Sequence, residues 1–400
     1  VDASRPSPSL SPSRWPVIVA FALVGAATQL LWLTFAPVTT VAAKHYGVSE
    51  NAIGWLANVF PLVAVVLSIP AGLFLDRWFR VALVLGASLT ASGGLLRLAG
   101  DDYLWLLAGQ IVVAIGQPLV LNAITGVTGR YLRQEHRPAG ISISTASTFA
   151  GMVAAFALAA VFSTEDELAT LNTVSAWYAV LAAVVLVVAL RRPGTQPHAA
   201  PPAGLGALRT AWSDPFIRRL CALVFLPFGV SVAMMTYTQA LLFPAGVSGE
   251  LASLMLVFQV VAGVIGCLVV PIWASRLRRE VVVLLLAGSV SAICCALLAV
   301  APGVGLGFVA LTVVGLALLP ALPVVLELAE RRTQVAEGTA AALIWLGGQL
   351  GGVLLTTTVG FLVDRPALAF CLMAAATAGA LPIALSLRAP IRDLPPVRQG

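Results

Sequence analysis

The sequence predicts an all-α integral membrane protein, with twelve transmembrane helices in two pseudo-repeated six-helix bundles. Three observations carry that prediction. The 400 residues are 60% hydrophobic and only 10% charged, whereas a soluble domain carries roughly 25% charged residues. One chain folding on itself cannot hide that much apolar surface from water, so a bilayer must be part of its solvent. Apolar runs of about 20 residues recur along the chain, each long enough to cross ~30 Å of hydrocarbon. The longest polar interruption, 191–218, divides these runs six and six.

The spans fall near 15–43, 52–75, 81–99, 103–129, 139–163 and 172–190 in the first bundle (15–190), and near 219–243, 251–274, 281–300, 303–327, 335–362 and 367–387 in the second (219–387). The start, VDASRPSPSLSPSR, reads as a disordered polar tail over 1–14 and not as a cleavable signal. Residues 388–400 form a second tail. Of 23 basic residues, only Lys44, Arg97 and Arg365 fall on one face of this topology. The other face holds the remaining 20. The positive-inside rule then places both termini in the cytoplasm of a multi-pass protein of the inner (plasma) membrane. The net charge of +6 is therefore topological, and nucleic acid is not an expected partner. The expected partners are a small-molecule substrate and membrane lipids, with the chain a monomer. Cys221, Cys267, Cys294, Cys295 and Cys371 lie in apolar runs without metal-ligand spacing, and read as small packing residues. No cofactor or metal is implied.

The acidic residues all fall at one face or the other, none at mid-membrane. Arg97 and Glu327 lie near span ends, where they are expected to snorkel to water. No titrating group is then left inside the hydrocarbon, the usual requirement for proton coupling. The same absence argues against an enzyme, since no catalytic acid, base or nucleophile pair is available at membrane depth.

The two halves are weakly similar at an offset of about 199 residues, which pairs Gly116 with Gly315. RQEHRPAGIS, 133–142, resembles RRTQVAEGTA, 331–340. After the second span comes GLFLDRWFRV, with Gly72, Asp76, Arg77 and Arg80. Gly72 permits close helix approach, and Asp76 is able to accept from a neighbouring helix N-terminus or an arginine, latching one conformation. Repeats, linker and loop together resemble the major facilitator transporters, whose loop signature is roughly G-x-x-x-D-R-x-G-R-K. Phe79 stands where that family has glycine, and Val81 where it has a second basic residue. In the second half the equivalent PIWASRLRR has Ser275 in place of the aspartate, a weaker latch. Many drug–proton antiporters of the family carry an arginine on the fourth span where this chain has Gln110, a further reason to expect no proton coupling.

Neutral polar residues form stripes inside the spans. Gln29 and Trp32 share a face of the first span, Gln110 and Gln117 one of the fourth. The seventh offers Met235 and Gln239 beside Thr236 and Tyr237, and the eleventh Trp345 and Gln349. Each buried amide needs a partner, because an unpaired one costs about 1–3 kcal/mol. That partner is a substrate, water or a second helix, since intramembrane glutamine also serves as interhelical glue. The overlapping G-x-x-x-G patterns of Gly347, Gly348, Gly351 and Gly352 read as a helix-packing face.

At LLWLTFAPVTTVAAKHYGVS, GWLANV and GQIVVAIGQPLVLNA the chain resembles the feline leukaemia virus subgroup C receptor-related transporters, associated with choline, ethanolamine and haem. The resemblance is best over the first six spans. It implies a central aromatic cage for a quaternary ammonium with glutamines nearby: Trp32 as the cage tryptophan, Gln117 and Gln349 as the glutamines, and Thr236 where the family has a tyrosine, with Tyr237 one step away. Gln29 and Gln239 complete the candidate substrate-binding set. The function so implied is alternating-access transport of a small organic cation or zwitterion, a choline-like amine, facilitative and not proton-coupled. A cation over an indole face needs no carboxylate. The alternative is efflux of amphipathic drugs or haem-like compounds. Haem is less favoured, because no histidine lies in a span and only Tyr178 and Tyr237 offer a ligand there.

Overall fold

The structure is a computed structural model that describes residues 13–162, 164–194, 205–332 and 337–392. Residues 1–12 of the tail predicted over 1–14, 195–204 of the linker and 393–400 of the second tail lie outside the described residues. Ser13 and Arg14 are ordered, Arg14 N donating to Tyr131 O at 2.8 Å and Ser13 Oγ accepting from Arg133 N at 3.0 Å. The first bundle comprises α1 (Trp15–Leu33), α2 (Thr39–His45), α3 (Glu50–Leu96), α4 (Tyr103–Leu121), α5 (Ile124–Tyr131), α6 (Arg137–Val161) and α7 (Leu168–Leu190). A short α8 (Leu205–Ser213) leads into the second. That bundle comprises α9 (Pro215–Leu242), α10 (Gly249–Arg276), α11 (Glu280–Val300), α12 (Val304–Leu318), α13 (Ala321–Arg332), α14 (Glu337–Gly360) and α15 (Pro366–Ser386), followed by one turn, α16 (Arg388–Arg392).

Eleven segments among the described residues are long and apolar enough to cross a membrane. One of them, Ala52–Leu96, is 45 residues long and supplies two crossings, which makes twelve. Its break is at Trp78, where the backbone leaves helical geometry (φ −135°, ψ 57°). This lies inside the predicted turn between 75 and 81. Phe79, at the family's glycine position, is buried against Gly126 of α5, where an added Cβ would come within 2.6 Å of its ring. The Arg130 guanidinium stacks 4.2 Å from the same ring.

Three spans differ from the sequence expectation. The first ends at Leu33, not at 43: Thr34–Val38 form turns, and α2 is a separate short helix. The fourth and tenth each divide, at 122–123 between α4 and α5 and at 319–320 between α12 and α13. Pro320 stands at the second of these breaks and lacks the N–H that a continuous helix needs, whereas Pro118 lies inside α4, one turn before the first.

The bundles touch through α6 against α10 and α13, and through α14 against α3 and α5. Both α5 and α13 lie at the arginine-rich end, so that end is closed. Cavity-lining residues near the other end, Trp55, Asn58 and Leu62 of α3 with Val353 and Thr357 of α14, are exposed. At the closed end, Leu322, Val325 and Trp345 are buried. The cavity between the bundles thus opens toward the arginine-poor end.

Within the second bundle, α9 and α14 meet backbone to backbone. A Cβ at Gly351 would lie 1.9 Å from Phe225 O, and one at Gly229 would lie 2.5 Å from Gly351 O. Glycine is required there because any side chain would drive the two helices apart. At Gly352 the nearest atom, Val232 Cγ2, is 3.5 Å away, an ordinary contact. Four of the five cysteines are buried as expected of packing residues, while Cys371 is exposed. Gly351→Ala is expected to destabilise the protein by about 2 kcal/mol, and Gly352→Ala by less than about 0.5 kcal/mol. Thermal unfolding of the two purified variants beside the parent measures the difference.

Candidate functional site

A cavity of about 570 Å³ runs between the bundles. Five of the seven sequence-predicted binding residues are not equally placed along one stripe, yet they converge here: Gln29 and Trp32 of α1, Gln117 of α4, Thr236 of α9 and Gln349 of α14 all line it. Most of the remaining wall is apolar. No Asp, Glu, His, Lys or Arg stands among the described lining residues.

The Trp32 indole is half-buried in the last turn of α1. Its Nε1–H donates to Ala57 O at 2.9 Å, which satisfies the ring's only polar group and fixes its plane. Phe60 tilts against it with centroids 5.9 Å apart. Gln29 is 3% exposed, and its Oε1 has no hydrogen-bond partner among the described residues. The Thr236 hydroxyl donates to Val232 O at 2.9 Å within its own helix, which leaves its lone pairs for an outside donor.

Two predicted residues do not reach the cavity. Tyr237 is rotated about 100° along α9 from Thr236 and packs toward Gly360 of α14 instead. Gln239 continues the Met235 stripe one turn nearer the open end, beyond the cavity lining, and is exposed. Trp345, in contrast, lines the cavity without being in the predicted set. It is 6% exposed, meets Phe228 edge-to-face with centroids 6.1 Å apart, and its Nε1 finds no partner among the described residues. Its i, i+4 spacing to Gln349 was the signal available in the sequence. Thr356 Oγ1 is a further buried cavity-lining atom without a partner.

The loop residues act at the closed end. Asp76 is buried, and its Oδ2 accepts from the Thr339 backbone N–H at 3.0 Å and from the Thr339 hydroxyl. Thr339 is in the first turn of α14, so a carboxylate of one bundle meets the helix N-terminus of the other, where its charge is favoured. Gly72 is buried. Arg77 is exposed and stacks on Trp78 at 4.5 Å, and Arg80 donates to Leu190 O of α7. Ser275 donates to Ile272 O of its own helix at 3.2 Å.

The expectation that no ionisable group is buried is overturned. Glu280 and Glu327 are each 1% exposed, Glu330 4% and Arg331 7%. Arg331 Nη1 lies 2.6 Å from Glu280 Oε1 and 3.7 Å from Glu327 Oε1, while Glu330 pairs with Arg137 across the two bundles. Glu327 therefore does not snorkel: it is buried, with Arg331 one turn along the same helix as its ion partner. Arg97 is also turned inward, at 2% exposure, with Nη2 on Leu31 O at 2.6 Å. None of these charged side chains lines the cavity.

Known proteins bear on this arrangement. The profile of the Major Facilitator Superfamily matches residues 17–356. The chain belongs to that superfamily. It is 25% identical over 387 residues to Solute carrier family 49 member A3 of Danio rerio, across 88% of this chain and 81% of that one. It is 22% identical over 385 residues to the choline/ethanolamine transporter flvcr2a of Danio rerio, with the same two coverages, 88% and 81%. Over 121 residues, 29% of this chain and 22% of the relative, it is 30% identical to the choline/ethanolamine transporter FLVCR1 of Felis catus. The feline leukaemia virus subgroup C receptor-related resemblance is thus met by relatives of that group. Among solved structures, the fold is similar to that of the transporter FucP in the outward conformation, with TM-score 0.75 and 16% identity over 93% of this chain and 99% of that one. It is likewise similar to a bacterial homologue of the iron transporter ferroportin in an outward-facing state, with TM-score 0.76 and 15% identity over 94% and 99%.

The buried cluster gives a test of its own. Glu280→Ala withdraws the closest partner of a buried guanidinium and is expected to cost about 3–5 kcal/mol of stability. The double variant Glu280→Ala/Arg331→Met removes both charges and is expected to recover part of that loss, read from chemical or thermal melts.

Proposed function

We propose that the protein moves a small organic cation or zwitterion, a choline-like amine, across the membrane by alternating access. One observation carries this reading: the Trp32 indole, its N–H tied to Ala57 O, lines a neutral cavity beside Gln29, Gln117 and Gln349. An aromatic face attracts a cation by about 0.5–2 kcal/mol without a counter-charge. Amides and the Thr236 hydroxyl supply acceptors for the rest of the ligand, and each amide buried without one is a cost that a ligand relieves. Choline/ethanolamine transporters among the relatives favour the same substrate class.

Transport on this reading is facilitative. The described cavity wall holds no titrating side chain, so the substrate binds without exchanging a proton there. The arginine-rich end faces the cytoplasm, as the basic bias favours, which makes the cavity open to the outside. The contact of Asp76 with the start of α14 then closes the cytoplasmic side.

Trp32→Ala is expected to weaken choline binding by ~1–2 kcal/mol, roughly 5–30-fold, and Trp32→Phe by less. Calorimetric titration of purified variants measures both. Unchanged affinity in Trp32→Ala would sink the amine reading, and binding of lipophilic dyes in preference to choline would favour the efflux of amphipathic compounds.

Asp76→Asn exchanges the carboxylate at the α14 N-terminus for a neutral amide. It is expected to lengthen distances across the arginine-rich end without ligand, seen by paired spin labels on α3 and α14. A ligand shifts such a balance only by its differential affinity for the two states. Identical distances and identical transport in the variant would mean that the contact governs nothing.

A further inference from the structure

A helix ends with four carbonyls that have no partner within the helix. Where α1 stops inside the bundle, all four are met. Thr34 Oγ1 donates to Leu30 O at 2.7 Å, and Ala36 N donates to Leu33 O at 3.1 Å. The other two donors come from different helices. Arg97, at the end of α3, places Nη2 2.6 Å from Leu31 O. Gln110 of α4 places Nε2 3.4 Å from Trp32 O.

Gln110 does more than close a helix end. Its Nε2 also donates to Leu56 O of α3 at 3.0 Å, so both amide hydrogens are used. The next carbonyl of α3, Ala57 O, receives the Trp32 indole N–H at 2.9 Å. One turn of α3 therefore holds the Trp32 ring directly and the Trp32 backbone through Gln110. Arg97 adds a positive charge at the negative end of the α1 dipole, which gives this inward-turned arginine a role without a carboxylate. Both side chains are buried, and neither lines the cavity.

We propose that Gln110 and Arg97 are positioning residues, which fix the orientation of the Trp32 indole toward the substrate without touching it. The proposal rests on the reading of Trp32 as the cation-binding face. An indole face attracts a cation only when presented squarely, so a ring free to turn at the end of an uncapped helix binds less well. The last turn of α1 is the place where that freedom would arise, since turns replace the helix immediately after it.

The test is a double-mutant cycle on the full chain, by calorimetric titration with choline and with tetramethylammonium. Gln110→Met keeps the length of the side chain and removes its donors. It is expected to weaken both ligands about 3–10-fold, the weight of one or two lost hydrogen bonds. In the Trp32→Ala background the same change is expected to alter affinity less than about twofold, because the residue acts through the ring that is already gone. A purely structural Gln110 would lower the melting temperature and leave affinity intact, and an independent contact with the ligand would give multiplying losses. Either result overturns the proposal. If Gln110→Met does not yield folded protein, Gln110→Asn, which withdraws the amide by one methylene, is carried through the same cycle with the same expectations. Binding in the parent, loss in Trp32→Ala and no loss in the Gln110 variants would reject the positioning role alone. A parent that binds neither ammonium ion would reject the amine reading and the positioning role together.

Discussion

Hydrocarbon offers no hydrogen-bond partner, and that constraint organises this molecule. Wherever a helix stops or bends within the bundles, its freed backbone groups must be met by the chain itself. The end of α1 is met by Arg97, Gln110, Thr34 and a turn. The start of α14 is met in part by Asp76 from the other bundle. At the break between α4 and α5, Asn122 N and Ala123 N are met by Pro118 O and Val120 O at 3.1 Å each, and the Asn122 side chain ties the break to Ser68 O of α3 at 2.9 Å. Polar residues that look scattered in the sequence are thus placed where the backbone would otherwise be bare, and the candidate site is built around those repairs.

Charge and recognition are kept apart. Apart from Arg97, buried at the opposite end beside α1, the buried carboxylates and guanidinia gather at the arginine-rich end, where Arg137–Glu330 joins the bundles and Arg331 lies between Glu280 and Glu327. The cavity wall is neutral. A buried ion pair contributes little net stability but is costly to break, which suits a contact between two bodies better than a contact with a passing substrate. On the proposed reading, a neutral wall with an aromatic face would hold a cation weakly enough to release it.

Much of this was legible in the sequence, and the rest was hidden for physical reasons. Span number and the turn that holds Trp78 follow from hydrophobic length, helical spacing pairs Gln29 with Trp32, and the convergence of these two with Gln117, Thr236 and Gln349 was implied by the family resemblance. Tyr237 and Gln239 were misplaced because spacing gives relative rotation and not the absolute facing of a helix or the depth at which the cavity ends. Arg97 and Glu327 have side chains long enough either to snorkel or to turn inward, and only the neighbouring helices decide which. The early end of α1 was hidden because FAPVTT is apolar enough to continue a span, although its backbone does not.

The contact of Gly351 with Phe225 O and Gly229 leaves no side chain between α9 and α14. Two helices joined in that way have little room to roll or shear against each other, so the face carrying Phe228 and Thr236 keeps its register with the face carrying Trp345 and Gln349. These four residues behave as one plate. On the proposed alternating-access reading, a displacement of α14 at the Asp76 contact would move that plate relative to Trp32 without rearranging it, so the gap across the cavity would vary while the chemistry of each wall stayed constant.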